Sequence, residues 1–526
     1  LGLYAQDKWT VSDKLNLTLG LRIDVPFFMT DLQSNDKVAA ETYRDGIKID
    51  VSKYPNAKPQ FSPRFGFNYK PFDDENGSLQ IRGGTGLFTG TPPYVWISNQ
   101  AGNNGVLFGD LNVRAVKDKN DNIISDGRPS LGFTGNMDTY KPAEGSATRS
   151  DIAITDPDFK YPSLWKSNIA ADYKFGDGWV ATVELLYSKD INAIYHDNIG
   201  LYRTEQFVND GGAGNARPYY NGYYSDREGN QKAANHVVML RNTSKGHSLY
   251  TTFQLQKNFV DGILKGLYLN GSYSFGQSRG VTDGTSSVAT SAWKYRAALD
   301  GNAEEVGYTA GSFDGRLLLS ASYTANWSKY AATSFGLIYQ RYRPFRYSYC
   351  YNGDANGDSQ FSNDLMYIPA NFDEVKDHLL PGDFDSQEDA WKAMNAFIEQ
   401  DPYLSKHRGE YAERNGAVAP FANQLDLSVS HDIKIYQKNG RSHTLRFSFN
   451  IANFLNLLNR NWGVVQTTVL GNQQYQFLTI PKGQGPSAAN NYTLKYTMAK
   501  DLDETFKDNL NDVSRWQMQF GIKYIF

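Results

Sequence analysis

Residues 14–24, KLNLTLGLRID, place Leu15, Leu17, Leu19, Leu21 and Ile23 on one side of an extended chain. Asn16, Thr18, Gly20, Arg22 and Asp24 fall on the other, because side chains alternate along a strand. The pattern recurs. Phe61, Phe65, Phe67 and Tyr69 oppose Ser62, Arg64, Asn68 and Lys70, and Trp179, Ala181, Val183, Leu185 and Tyr187 oppose Thr182, Glu184 and Ser188. Leu249, Phe253 and Leu255 oppose Tyr250, Thr252, Gln254 and Gln256. Leu425, Leu427 and Val429 oppose Asp426, Ser428 and Ser430, and Leu445, Phe447, Phe449 and Ile451 oppose Arg446, Ser448 and Asn450. A soluble β-sandwich also alternates, but three features favour a membrane wall. The periodic runs are about 10–13 residues long, against ~5–6 in globular sheets and ~9–11 for a strand crossing a bilayer. Arg22, Arg64, Arg82, Glu184, Arg316 and Arg446 all take the polar face in mid-strand, where a lipid-facing basic side chain would cost ~2–4 kcal/mol. The connections alternate between short and long, as outer-membrane barrels arrange periplasmic turns and extracellular loops. Short turns fall near 71–77, 176–178, 260–265, 326–330 and 436–442, and long loops near 26–58, 90–163, 191–246, 279–312, 348–420 and 455–513.

These runs predict a transmembrane antiparallel β-barrel wall of about 13 strands. They lie near 1–11, 14–25, 59–70, 78–89, 164–175, 179–190, 247–259, 266–278, 313–325, 331–347, 421–435, 443–454 and 514–526. Leu17, Leu427 and Phe447 are expected to face lipid, and Arg22, Asp426 and Arg446 the lumen. Bacterial single-chain barrels have an even strand number, so an odd set is expected to pair residues 1–11 with a strand outside this sequence. The opening pattern carries no basic n-region or apolar h-region; residues 1–526 read as the C-terminal portion of one barrel domain.

The chain has 526 residues, 40% hydrophobic and 14% aromatic, with a mean hydropathy of −0.55. No 18 apolar residues run together, so no transmembrane helix is expected; low mean hydropathy does not count against a barrel, in which only alternate residues meet lipid. A net charge of −3 provides no electrostatic basis for nucleic-acid binding. Cys350 is the single cysteine, which excludes an intrachain disulfide and a cysteine metal cluster.

The last strand alternates Trp516, Met518, Phe520, Ile522, Tyr524 and Phe526 with Gln517, Gln519, Gly521 and Lys523. Alternating aromatics ending in Phe resemble the signal by which outer-membrane barrels are recognised for assembly. With LGLYAQDKWTVSDKLNLTLGLRID (1–24), SPRFGFNYKPF (62–72), IRGGTGLFTGTPPYVWISNQ (81–100), DYKFGDGWVATVELLYSKDINAIY (172–195) and FSFNIANFLNLLNRNWG (447–463), the chain resembles TonB-dependent transporters, especially Oar-like members from Bacteroidetes. The resemblance implies an outer-membrane protein of a Gram-negative bacterium, with a barrel of roughly 22 strands around a plugged lumen. The plug and about nine strands would lie outside this sequence. It also implies outer-membrane lipid, a TonB-type energy transducer acting through the plug, and a surface lipoprotein or larger outer-membrane complex as partners. The function implied is energy-coupled uptake of a substrate that the sequence does not identify. The rival is an Oar-like barrel serving as a structural subunit of an assembly, secretion or adhesion complex.

Enzymatic motifs lack their context. Gly276-Gln-Ser278-Arg-Gly280 matches G-x-S-x-G, but that nucleophile pattern needs a strand-to-helix elbow, and here it closes a strand. The seven histidines contain no H-E-x-x-H. A different chemistry is offered by YNGDANGDSQFSNDLMY (351–367), where Asp354, Asn356 and Asp358 occupy positions 1, 3 and 5 of a calcium-loop spacing. Leu365 stands where a bidentate Glu belongs, and Asp364 is the substitute ligand; the competing reading is a solvated polar turn. Residues 386–400 predict a short helix packed inside a loop, with Ser386 as N-cap, Asp389 three residues on, and Trp391, Met394, Phe397 and Ile398 along one side. Tyr94, Trp96, Tyr219, Tyr220, Tyr223 and Tyr224 form aromatic loop patches, suited to binding sugars, peptides or partners, or to packing the loops themselves.

Overall fold

The computed structural model describes residues 1–106, 115–118, 122–125, 135–136, 150–212, 214, 216–436, 442–470 and 473–526. One antiparallel sheet runs through the chain as β1 (Gly2–Ser12), β2 (Leu15–Asp24), β3 (Gln60–Asp74), β4 (Gly77–Thr89), β5 (Ser163–Phe175), β6 (Trp179–Asp190), β7 (Gly246–Asn258), β8 (Leu267–Gly280), β9 (Arg316–Ser328), β10 (Ala331–Tyr342), β11 (Ala422–Tyr436), β12 (Ser442–Ala452) and β13 (Gln517–Ile525). Each strand pairs with the next in chain order, with no crossover. β1 and β13 occupy the two ends of this order and do not pair with each other among the described residues. No described helix is long and apolar enough to cross a membrane.

Register converts alternation into two chemically distinct faces. Leu17 stands opposite Phe67, Leu337 opposite Leu427, and Phe449 opposite Phe520. This face leaves Leu19, Phe65, Ile169, Val183, Phe253, Leu319, Leu337 and Ile522 exposed, an apolar expanse that a soluble monomer rarely presents. The opposite face is cross-linked by polar side chains. Arg22 pairs with Asp24, Arg82 with Asp172, and Arg446 with both carboxylate oxygens of Asp432 at 2.6 and 2.8 Å. Thr252 meets Ser274, Gln254 meets Asn270, and Ser428 meets Asn450. Arg22, Asp426 and Arg446 therefore share one face, and Leu17, Leu427 and Phe447 the other. Near the short turns, Trp9, Phe72, Tyr173, Trp327, Tyr330 and Tyr524 are exposed, where rings favour the membrane–water boundary.

Four strands depart from the sequence expectation by three residues or more, the third running on from 70 to Asp74. The ninth strand, expected at 313–325, runs Arg316–Ser328. The tenth, expected to continue to 347, stops at Tyr342, because Pro344 has no N–H for the ladder; Arg346–Asn352 joins a different sheet. The last begins at Gln517 after a 3-10 turn at Asp512–Ser514. Trp516 thus lies just outside the strand, its N–H donating to Asn456 Oδ1 at 3.4 Å. The turn expected at 436–442 and much of the 90–163 loop lie outside the described residues.

The long loops were expected to hold one helix; they also hold sheets of their own. Ala193–Asn198, Ala234–Thr243 and Ser150–Thr155 form a three-stranded sheet, and Arg346–Asn352 pairs with Ala417–Val418 and Gln474–Thr479 in a four-stranded one. Against the latter packs the helix Gln387–Gln400, whose Met394, Phe397 and Ile398 are buried and whose N-cap Ser386 accepts from Asp389 N at 3.1 Å. Tyr347, Tyr349, Cys350, Tyr351, Tyr475, Phe477 and Tyr496 complete this core. Its phenols need partners. Tyr349 donates to Asp401 Oδ2 at 2.6 Å, and the same buried carboxylate accepts from Thr505 and from two backbone amides after the helix.

A single cysteine placed at Leu427 or Phe447 and reconstituted in bilayers is expected to resist a membrane-impermeant thiol reagent. One at Ser428 or Gln254 is expected to react; native Cys350 is buried and contributes little background. Reaction of the first pair and protection of the second would reverse the assignment of faces.

His196, edge-on to Trp96 at 5.4 Å, gives a pH signature. Burial, aided by Arg296, pulls its imidazole from 6.5 down to about 4. Between those values the folded chain binds fewer protons than the unfolded one, so this residue's contribution is complete above about pH 6.5 and is lost as pH falls toward 4. A His196→Gln variant is expected to lose less loop-body stability than wild type between pH 7 and 4.5, by up to about 3 kcal/mol. Tryptophan-monitored unfolding would read the difference, and identical pH slopes would contradict it.

Candidate metal centre

The strand Arg346–Asn352 leads into a tight loop that returns at Leu365. Main-chain contacts close its neck: Cys350 bridges Leu365, Tyr351 N donates to Asp364 O at 2.9 Å, and Met366 N to Tyr349 O at 3.1 Å. Inside, the short acidic side chains organise the backbone as Asx turns do. Asp354 Oδ1 accepts from Gly357 N at 2.6 Å and Asn356 N at 3.2 Å, and its Oδ2 from Ser359 N at 2.8 Å. Asp358 Oδ1 accepts from Gln360 N and Asp364 Oδ2 from Ala355 N. Four residues of the loop take positive φ, Gly353 at 137°, Gly357 at 83°, Ser359 at 66° and Ser362 at 98°. A Cβ on Gly357 would run into the Tyr220 carbonyl and the Tyr219 ring, so this position has both a conformational and a steric reason for glycine.

The result is a convergence of oxygens. Carboxylate oxygens of Asp354, Asp358 and Asp364 lie within 4.8 Å of one another. Asp358 and Asp364 have no solvent exposure, and Asn356 is 1% exposed, so the segment is not a solvated turn. Asn356 turns its side chain toward Asp358, with Oδ1 accepting from Asp358 N at 2.9 Å and Nδ2 lying 3.4 Å from Asp358 Oδ2. The crowding registers in the acidities. Burial, then Asp364 and Asp354, push the Asp358 carboxyl well above the ordinary range. Burial lifts Asp364 from 3.8 to about 7, against the pull of the Arg217 guanidinium. Burial raises Asp354 as well, opposed by the amides that donate to it.

One cation of the protein's own reaches the cluster. Arg217, fully buried, binds Asp364 Oδ1 and Asp210 Oδ2, each at 3.0 Å, and also donates to the Leu365 carbonyl. It clamps the acidic loop to the 210–224 segment. Nothing in the local sequence around Arg217 signals a partner at position 364. Of the four expected ligands, the carboxylates of Asp354, Asp358 and Asp364 are brought together, while Asn356 lies beside them with its Oδ1 on Asp358 N and Leu365 is turned into the tyrosine-rich core.

The aromatic candidates do not share one surface. Tyr94 is 64% exposed on the helix Tyr94–Gly102, whereas Trp96 donates to Ser286 O at 2.8 Å. Tyr219 packs on Tyr492, Tyr220 is buried and donates to Asp300, Tyr223 lies against His236, and Tyr224 against Tyr202. Ser278 of the G-x-S-x-G match sits within β8, opposite Ser248, with no elbow to expose it.

The family model for the outer membrane beta barrel domain matches residues 1–486. The chain belongs to that family. It is accordingly an outer-membrane barrel protein and not an enzyme, its thirteen long strands form barrel wall, and its long loops, with the acidic cluster, lie on the extracellular side. Solved structures similar at low identity include the following three. A mutant of the ferric enterobactin receptor from Pseudomonas aeruginosa aligns with 99% of this chain and 43% of its own at 9% identity, with a TM-score of 0.38. The copper transporter OprC aligns with 99% and 48% at 8% identity and a TM-score of 0.40. The ferric preacinetobactin receptor BauA from Acinetobacter baumannii aligns with 100% and 42% at 10% identity and a TM-score of 0.39. The barrel chain thus spans less than half the length of each. No curated protein matches it.

Gly357→Ala is expected to destabilise the loop body by about 2 kcal/mol or more, since non-glycine left-handed backbone alone costs ~1–3 kcal/mol. Chemical unfolding monitored by tryptophan fluorescence would measure it, and a change under 0.5 kcal/mol (about the scatter of surface substitutions) would contradict the conformation.

Proposed function

We propose that this chain supplies wall strands and the extracellular receptor body of a TonB-dependent importer of the Oar-like, Bacteroidetes type. The supporting observation is the two-ended sheet: β1 and β13 each have one neighbour among the described residues. Hydrocarbon offers no substitute for a missing strand partner, so further strands are needed to complete the ring, and in this reading the plug comes with them. The quoted segments of 1–24, 62–72, 81–100, 172–195, 447–463 and the terminal strand support the subtype. A photo-crosslinking residue at Ala5 or at Phe520 in cells tests the proposal. The expected outcome is attachment to other wall strands whose own chain carries a plug with an energy-coupling segment. Attachment of position 5 to position 520 would mean a closed ring of these strands alone and would overturn it. A partner with a degenerate plug would instead assign the barrel to a structural complex.

The acidic loop is proposed to hold calcium through Asp354, Asp358, Asp364 and Asn356. Calcium takes six to eight oxygens at ~2.3–2.6 Å, and a divalent ion would offset the repulsion among three carboxylates. Bound there, it would tie the 348–420 loop to the Arg217 clamp. Calcium at about a hundredfold its dissociation constant is expected to stabilise the loop body by ~2.7 kcal/mol. The effect should be reversible by chelator and absent in a double variant, Asp354→Asn with Asp358→Asn. An unfolding midpoint that ignores calcium would count against the site.

A further inference from the structure

We propose that a cavity of about 510 Å³ in the extracellular body binds a small organic oxyanion, bearing carboxylate or phosphate groups. Three separate loops meet there: the segment 282–297, the segment around Ser348 and Arg414, and Gln473–Gln476. Its wall carries three cations, Lys294, Arg296 and Arg414.

The two arginines are unusual within this body. Arg296 is 5% and Arg414 3% exposed. Their terminal nitrogens are spent on main-chain carbonyls: Arg296 on Gly301 and Val281, and Arg414 on Val281, Gly280 and Gly307. The Nε of each is buried without a partner, and neither guanidinium has a carboxylate at ion-pair distance among the described residues. Other arginines of the loops do. Arg217 holds Asp210 and Asp364, Arg241 holds Asp156 and Asp197, and Arg346 holds Asp314. Carboxylates act on Arg296 and Arg414 only from beyond ion-pair distance, Glu305, Asp300 and Asp197 on the first and Asp283 and Glu305 on the second. A buried cation without a contact ion is costly, and both line one cavity.

The nearest acidic group in the wall is already engaged. Asp283 Oδ1 accepts from Ala310 N at 2.8 Å and its Oδ2 from Asn415 Nδ2 at 2.9 Å. One carboxylate against three cations leaves the wall net positive. Burial pulls the pKa of the Arg414 guanidinium down to about 10, with Asp283 and Glu305 opposing the fall and Arg296 and Arg279 adding to it; the group is still cationic at neutral pH. At the rim Tyr295 and Phe361 expose 58% and 71% of their surface, apolar area for the ligand's organic body. The volume lies within the ~300–1,000 Å³ of small-molecule pockets, and guanidinium is the side chain best matched to carboxylate and phosphate. Because the cavity draws on three loops, an anion held in it would fasten them together. As a step in uptake this site rests on the importer reading; as a binding site it does not.

The test is calorimetric titration of the purified full-length protein in detergent with succinate, with inorganic phosphate, and with glucose as a neutral control. Saturable binding of succinate or of phosphate, with none of glucose, is expected, and whichever binds identifies the oxyanion class. Binding is expected to weaken at least tenfold in Arg296→Gln and in Lys294→Gln. If Arg296→Gln does not fold, Lys294→Gln carries the test, since it leaves both buried guanidiniums in place. Absence of binding by both anions, or affinity unchanged in a folded Lys294→Gln, would overturn the proposal. Neither outcome bears on the importer reading, because no transport is measured.

Discussion

In hydrocarbon a backbone N–H or C=O has no partner except another peptide group, and the wall of this protein is organised around that constraint. It demands a paired ladder, met by thirteen strands that pair in chain order, with register shifts at Thr10/Ser12, Tyr69/Phe72 and Asn326/Ser328 and with Pro63 and Pro71 accommodated inside β3. It also places Pro344 beyond the end of β10, where no ladder hydrogen bond is lost. With the backbone fully committed, only side chains distinguish one side of the wall from the other. The apolar rungs take the lipid side. The charges that a lumen tolerates gather on the far side as Arg–Asp pairs such as Arg446 with Asp432.

The same constraint decides where everything else can be built. Loops at the periplasmic ends are turns of a few residues, leaving the extracellular ends to carry the long insertions. Those insertions leave the membrane and fold by soluble rules. A core dominated by tyrosine forms because each ring buries a large apolar area and its hydroxyl can be satisfied inside the body, as that of Tyr349 is on Asp401. Segments far apart in sequence are joined by buried ion pairs, with Arg217 linking residues 210 and 364. The acidic loop and the arginine-lined cavity lie in this body. They are opposite electrostatic solutions on one scaffold, one an excess of buried carboxylates and the other of buried guanidiniums. Each is an arrangement that a ligand of the complementary sign would relieve.

The wall was legible in the sequence because its code is local. Period-two alternation, charges confined to one phase and the spacing of turns each occupy a dozen residues, and register follows from keeping arginines out of lipid. The helix at 387–400 was legible for the same reason, through Ser386, Asp389 and the spacing of Met394, Phe397 and Ile398. So was the convergence of Asp354, Asp358 and Asp364, since a loop eleven residues long can bring its own side chains together. Membership of the outer membrane beta barrel domain family agrees with what those local patterns imply.

What the tertiary structure alone decided is non-local. RYSYCYN (346–352) is buried on both sides, so its alternation carries no inside–outside signal; residues 346–347 read as the end of β10 and 348–352 as loop, whereas the segment is one strand paired with Gln474–Thr479 and Ala417–Val418. For Tyr220 and Trp96 the sequence left binding and loop packing both open, because it does not say which neighbour will cover a ring. Arg296 and Arg414 stand 118 positions apart, among many other arginines, and only the packing of three loops removes their counter-ions and sets them against one cavity. Alternation along a strand is dictated by the geometry of one chain in one solvent. Pairing between distant loops depends on which surfaces remain to be buried once that wall is in place.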